Sequence, residues 1–157
     1  MTAARTVRAD PDTVIAAARL WIGTPYLHQA STPGAGCDCL GLARGVWRAL
    51  HGAEPVTPPP YSRDWGEAGK REVLADAAAQ FLIGLPVSDA GPGALLLFRM
   101  AAGAPAKHCG ILANTGSGPS LIHAYDNAGV IEQPFAPYWA RRAAFAFHFP
   151  ARQQTET

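Results

Sequence analysis

GCDCLGLARGVWRALHG, residues 36–52, decides how the rest of the chain is read. Asp38 is a helix-capping residue type and His51-Gly52 a natural stop. Between them Cys39, Leu42, Ala43, Val46 and Leu50 recur at helical spacing. The pattern predicts a helix that begins near Asp38, with Cys39 in its first turn and on its inward stripe. A thiol so placed feels the positive end of the helix dipole, which favours the thiolate. Taken alone, such a cysteine is more often a small buried hydrophobe than a nucleophile. Its partners have to be found elsewhere.

Upstream, Asp10-Pro11-Asp12 offers helix-start chemistry, and Val14, Ile15, Ala18, Trp21 and Ile22 follow helical spacing up to Gly23. A glycine- and proline-containing loop, 24–36, leads into the second helix. Downstream, EPVTPPPYSRDW (54–65) carries four prolines and reads as an extended surface connection. Residues 67–85 predict a third helix, with Leu74, Ala77, Ala78, Phe81, Leu82 and Leu85 on one face.

The character then changes to short strands divided by glycines, at 94–100, 108–113, 120–125, 129–133 and 143–149. YWARR (138–142) reads as one helical turn before the last of them. Helices first and antiparallel strands afterwards give an α+β class, with the helices packed on a sheet of about five strands. Residues 1–9 read as a loose arm, 10–150 as a single domain and 151–157 as a polar tail.

The strands supply candidate partners for the thiol. His108 opens one strand, and His123 lies in the next beyond the turn NTGSGP (114–119). A turn centred between Thr115 and Gly116 would set the two imidazoles directly opposite each other on one face. A register shifted by two would leave them diagonal, and a shift of one would separate them onto opposite faces. A cysteine, a base and a group that fixes the base's tautomer form the thiol version of a catalytic triad. His28, His51 and His148 read as surface or structurally satisfied histidines.

Bulk properties narrow the classes. The 157 residues are 48% hydrophobic and 16% charged, which suits one globular domain, and the 16 glycines and 14 prolines predict many turns. A net charge of +1 gives no footprint for nucleic acid or an anionic membrane. No run approaches the ~18 apolar residues of a membrane span, and the first 14 residues lack the apolar region of a secretory signal. Synthesis in the cytoplasm is therefore expected. Three cysteines, Cys37, Cys39 and Cys109, do not make a disulfide framework. By type they could join His108 and His123 as zinc ligands, but no C-x-x-C pair is present, and His108 and Cys109 alternate in direction along a strand. No metal or cofactor is expected.

GTPYLHQASTPGAGCDCLGLARGVW (23–47) resembles the motif of NlpC-type cell-wall peptidases in which a Pro-Tyr pair leads to Asp-Cys-Ser-Gly. PGALLLF (92–98) and HCGILANTGSGPSLIHAY (108–125) resemble that family's turn-and-strand element and its paired-histidine hairpin. The likeness covers about residues 12–149. GCDCLGLARGVWRALHG followed by PPPYSRDW is most similar to peptidases of phage tail modules and phage-like gene transfer agents. Leu40 stands where the family usually has serine, and Ala94 where its strand usually opens with aspartate.

The resemblance implies a papain-like fold and hydrolysis of an amide in the peptidoglycan stem peptide, between γ-D-glutamyl and a diamino acid. It implies Cys39 as nucleophile, His108 as base and His123 as the orienting residue. Tyr26 would line the site, and Asp38 would either bind a stem-peptide amine or simply cap its helix. Expected partners are the stem peptide and the tail-tip or baseplate proteins of a phage-like particle, which would deliver the enzyme to the periplasm of a target cell. A tail-tip protein of the same fold without turnover, and acyl transfer in place of hydrolysis, are the rival functions.

Overall fold

Asp10, Asp38 and the glycine-divided apolar runs place the main elements of the computed structural model, which describes residues 7–56 and 71–152. Helix α1 spans Pro11–Arg19. Its cap is Asp10, whose carboxylate accepts from the Thr13 N–H, and Pro11 takes the first turn where no N–H is missed. Helix α2 spans Cys39–His51, and the Asp38 carboxylate accepts from the Gly41 N–H at 2.7 Å. Two short strands, β1 (Ser31–Thr32) and β2 (Gly36–Cys37), fold the intervening loop into a hairpin against the start of α2.

The remaining elements are α3 (Val73–Phe81), β3 (Ile83–Leu85), a 3-10 turn at Val87–Asp89, β4 (Ala94–Phe98), β5 (His108–Thr115), β6 (Gly118–Tyr125), β7 (Gly129–Pro134), α4 (Pro137–Ala140) and β8 (Ala143–His148). Six of the strands form one antiparallel sheet in the order β3-β8-β4-β5-β6-β7. Both faces are covered, so every residue of β4 is buried. On one face α1 and α2 bring Val14, Ala18, Leu42 and Val46 against Leu95, Leu97, Cys109, Ile111 and Ile122. On the other, Trp139 of α4 packs with Leu96, Phe98, Leu112 and Leu121. Each fully buried leucine or phenylalanine stabilises the fold by roughly 1.5–3 kcal/mol.

α1 and α2 approach closely because Gly45 has no side chain. A Cβ there would lie 2.0 Å from Cζ2 of Trp21. The Trp21 ring, itself 5% exposed, occupies the space instead and seals the helix–helix contact.

Three expectations from the sequence are corrected. Among the described residues the sheet has six strands, because residues 83–85 leave the predicted helix: Leu82 is already extended, and Ile83, Gly84 and Leu85 pair with His148, Phe147 and Ala146. Pairing with an exposed edge outweighs the helical periodicity of Phe81, Leu82 and Leu85. Residues 7–9 are not a loose arm: Arg8 bridges Pro150, the Ala9 N–H donates to Phe149 O, and Ala9 is buried. The β5–β6 register differs from the directly opposed one, since Ile111 pairs with Ile122 and Leu112 with Leu121. The turn is the two residues Gly116-Ser117, and it places the histidines diagonally. The predicted connection at 57–65, the start of the third helix at 67–70 and the tail beyond 152 lie outside the described residues.

Candidate active site

Three chain segments meet where the start of α2 abuts the start of β5. The loop 24–38 sets the position of Cys39: the Asp38 carboxylate accepts from Gln29 N and Gly41 N, both at 2.7 Å, and the Asp38 N–H donates to Ala30 O. Asp38 is 3% exposed. Both its oxygens are held by backbone, so its place is that of the helix cap. Tyr26 is positioned by a parallel bridge to Cys37. Cys39, partly buried, presents its sulfur 3.9 Å from the Lys107 carbonyl oxygen.

His108 and His123 share the sheet face opposite α2, and His108, at the start of β5, reaches Cys39. Continuing the β5–β6 register puts Gly110 across from His123. A Cβ on Gly110 would come within 3.0 Å of His123 Cβ, so the missing side chain leaves the diagonal open. His108 Nε2 and His123 Nδ1 are 2.8 Å apart. Trp139 packs on both rings, at centroid distances of 5.5 and 4.8 Å, and Tyr125 lies 5.4 Å from His123. The two imidazoles are thereby fixed between a hydrogen bond and an aromatic wall.

The electrostatics follow this geometry. The Cys39 thiol titrates well below its ordinary range. A hydrogen bond with Cys109 contributes most, burial opposes it, and His108 adds a second hydrogen bond and its positive charge. Cys37 moves the other way, pushed up to about 12, first by burial and then by the neighbouring Asp38 and Cys39 charges. Burial drives His123 down to about 3, and the charge of His108 acts in the same direction. His123 is therefore neutral at physiological pH, as a group that accepts from an imidazolium should be. Its Nε2 is buried without a hydrogen bond of ordinary geometry among the described residues, and the Gln133 amide, diagonal to it on β7, is a polar group that approaches it.

A stability prediction follows for His123. The unfolded chain binds a proton on this residue below about pH 6.5, while the folded protein refuses it until about 3. Across that window the unfolded state holds more protons, so stability falls as pH drops, by up to ~1.4 kcal/mol per pH unit. The denaturation midpoint of a His123→Asn variant is expected to fall less steeply between about pH 6 and 4.5 than that of the parent. Parallel slopes would show that His123 takes up protons in the folded state.

Cys39, His108, Tyr26 and Asp38 line one cleft of about 250 Å³, together with His28, Leu40, Met100, Lys107, Tyr125 and Asp126. Leu40 thus stands at the cleft wall itself. Ala94 is fully buried at the start of β4, away from this lining. Among the described residues no three His, Cys, Asp or Glu side chains are gathered to hold a metal ion. Sequence reasoning missed Trp139, read only as part of a helical turn, and the contact of Cys109 with Cys39. Alternation does put Cys109 on the α2 side of its strand, which was the available signal.

No family model matches the chain. No curated protein matches its sequence. Solved structures do match its fold. The NlpC/p60 domain of peptidoglycan hydrolase SagA is 24% identical at a TM-score of 0.59, over 90% of this chain and 100% of that one. A lipoprotein-like NLP/P60 family protein from Staphylococcus aureus subsp. aureus Mu50 is 19% identical at 0.58, over 98% of this chain and 46% of that one. An NlpC/p60 family protein from Bacillus cereus ATCC 10987 is 19% identical at 0.62, over 90% and 41%. The chain spans less than half the length of the latter two proteins. Its α+β architecture is that of the NlpC/p60 domains.

Proposed function

We propose that this protein is a cysteine endopeptidase that hydrolyses amide bonds in peptidoglycan stem peptides. The observation that carries the reading is the chain of contacts from the low-titrating Cys39 thiol through His108 to the neutral, buried His123. Cys39 thiolate attacks the scissile carbonyl, forming a carbon–sulfur bond. The Cys39 N–H, in the first turn of α2 where no helical acceptor exists, faces the oxyanion. His108 gives its proton to the leaving amine as the carbon–nitrogen bond breaks. Water, deprotonated by His108, then cleaves the thioester and regenerates the thiolate. His123 holds the His108 ring throughout by accepting from its Nε2–H. Tyr26 borders the acyl site.

The stem peptide is favoured as substrate by the resemblance of 23–47 and 108–125 to the wall peptidases, and by the fold shared with a domain named as a peptidoglycan hydrolase. The bond favoured by that resemblance joins γ-D-glutamyl to a diamino acid. Incubation with purified peptidoglycan and mass spectrometry of the released muropeptides tests both points, with Cys39→Ala as control. A ligated product in place of free ends would indicate acyl transfer, and intact sacculi a structural protein.

Selective alkylation tests the nucleophile independently of substrate. Brief iodoacetamide treatment at about pH 6 is expected to label Cys39 and spare Cys37 and Cys109, which are 0% and 1% exposed. Preferential labelling of Cys109, or no selectivity, would remove Cys39 from its role.

We further propose that the enzyme travels in the tail tip or baseplate of a phage-like particle and opens the wall locally during DNA delivery. The support is the likeness of 36–52 and the following PPPYSRDW to peptidases of tail modules. Among the described residues no helix is long and apolar enough to cross a membrane. The chain should co-sediment with purified particles in near-stoichiometric amounts. Recovery wholly in the soluble lysate would end this part of the proposal and leave the peptidase untouched.

A further inference from the structure

The mechanism leaves one thiol beside the nucleophile without a chemical task. Cys109 follows His108 on β5 and points to the opposite face, toward α2. Its thiol donates to the Cys39 carbonyl oxygen at 3.2 Å, and it is the first of the influences that hold the Cys39 thiol well below its ordinary range. Packing holds this neighbourhood: Cys109 sits in the core cluster with Leu42, Ala43 and Val46 of α2. Cys109 is 1% exposed, whereas Cys39 opens into the cleft. Reagents in solvent therefore meet Cys39 first, and Cys109 meets whatever Cys39 becomes.

We propose that Cys109 is a resolving thiol, which captures oxidised Cys39 as a reversible Cys39–Cys109 disulfide. This rests on Cys39 being the reactive thiolate. With hydrogen peroxide as oxidant, the Cys39 sulfur takes one oxygen, giving a sulfenic acid while hydroxide leaves. The Cys109 sulfur then attacks the Cys39 sulfur, and the hydroxyl departs with the Cys109 proton as water. One peroxide is reduced, and the two cysteines together lose two electrons. The Cys109 thiol is held well above its ordinary range by its hydrogen bond with Cys39, by burial and by the Cys39 charge. A sulfenic acid is neutral, so the last of these is gone at the moment of attack. Any dithiol reverses the bond and restores the nucleophile. Without Cys109, a second peroxide would carry the sulfenic acid on to the irreversible sulfinic state, itself leaving as water. The pair protects the catalytic sulfur through an oxidising passage and holds the enzyme inactive meanwhile.

The test treats the full-length protein with equimolar hydrogen peroxide, blocks free thiols and maps peptides without reduction. A Cys39–Cys109 linked peptide, a mass loss of about 2 Da, and a more than tenfold fall in muropeptide release that dithiothreitol reverses are expected. A Cys109→Ala variant, normalised to its own starting activity, is expected to lose activity without recovery by dithiothreitol once excess peroxide carries its sulfenic acid on to the sulfinic state, while the parent under the same excess recovers. It should also trap dimedone on Cys39. Dimedone-labelled Cys39 in the parent, with no linked peptide, would overturn the resolving role and leave the nucleophile assignment standing. No oxidation at Cys39 at all would overturn both. A bridge from Cys37 to either other cysteine would assign the pairing elsewhere and overturn the proposal.

Discussion

Cys39→Ala and His108→Ala are each expected to cut muropeptide release by a factor on the order of 10⁴ or more, while His123→Asn keeps a measurable remnant. The asymmetry comes from what each group does. Without the sulfur no covalent intermediate forms. Without His108 the thiolate loses a hydrogen bond and a positive charge that lower its pKa, and the leaving amine loses its proton donor. Loss of His123 removes the 2.8 Å contact that fixes the His108 ring, but Trp139 still packs on that ring. Because the groups act as a unit, the double variant Cys39→Ala/His108→Ala should be no slower than either single one. Full activity of the His123 variant would pass the orienting role to Asp126, which lines the same cleft, or to Asn127 beside it.

The second large effect is on folding. Gly41→Ala is expected to destabilise the protein by ~3 kcal/mol or more, read as a lowered denaturant midpoint at unchanged slope. A Cβ at residue 41 would lie 2.0 Å from the Ala30 carbonyl oxygen and 3.2 Å from Asp38 Oδ1. The obstacle is backbone, and that carbonyl also accepts from the Asp38 N–H. Relief would require the loop at 29–31 to withdraw from α2, which breaks the cap that places Cys39. The variant should therefore also lose selective labelling of Cys39 before it loses secondary structure. An unfolding free energy within about 0.5 kcal/mol of the parent would show that the loop yields easily.

Local chemistry explains why much of this was legible in the sequence. Asp10 and Asp38 cap helices where their carboxylates predict it, and Gly52 ends α2 with a positive φ of 84°. The long strands follow their apolar runs between glycines. Register was harder, because GSGP offers several turn centres and the choice between them depends on neighbouring strands. Leu82 to Leu85 illustrates the same limit: its helical spacing is real, but β8 presents an edge that only the assembled sheet reveals. At the site, Cys39, His108 and His123 were readable as types in an order, whereas Trp139 becomes part of it only through the approach of α4 to the far face of the sheet. The substrate-amine alternative for Asp38 could be weighed against the cap only once both its carboxylate oxygens were seen on backbone N–H groups.

The proposed nucleophile and its base stand 69 positions apart in the chain, and nothing near Cys39 in sequence supplies what β5 supplies. At roughly 5–20 residues per second, a ribosome exposes Cys39 several seconds before it has made His108. During that interval the thiol has the nucleophilicity of any exposed cysteine, and activation arrives with the docking of α2 on the sheet. Synthesis of this protein therefore places no working hydrolase on the ribosome. On the proposed mechanism, a chain that stalls before residue 108, or is clipped between the two segments and comes apart, has no hydrolase activity.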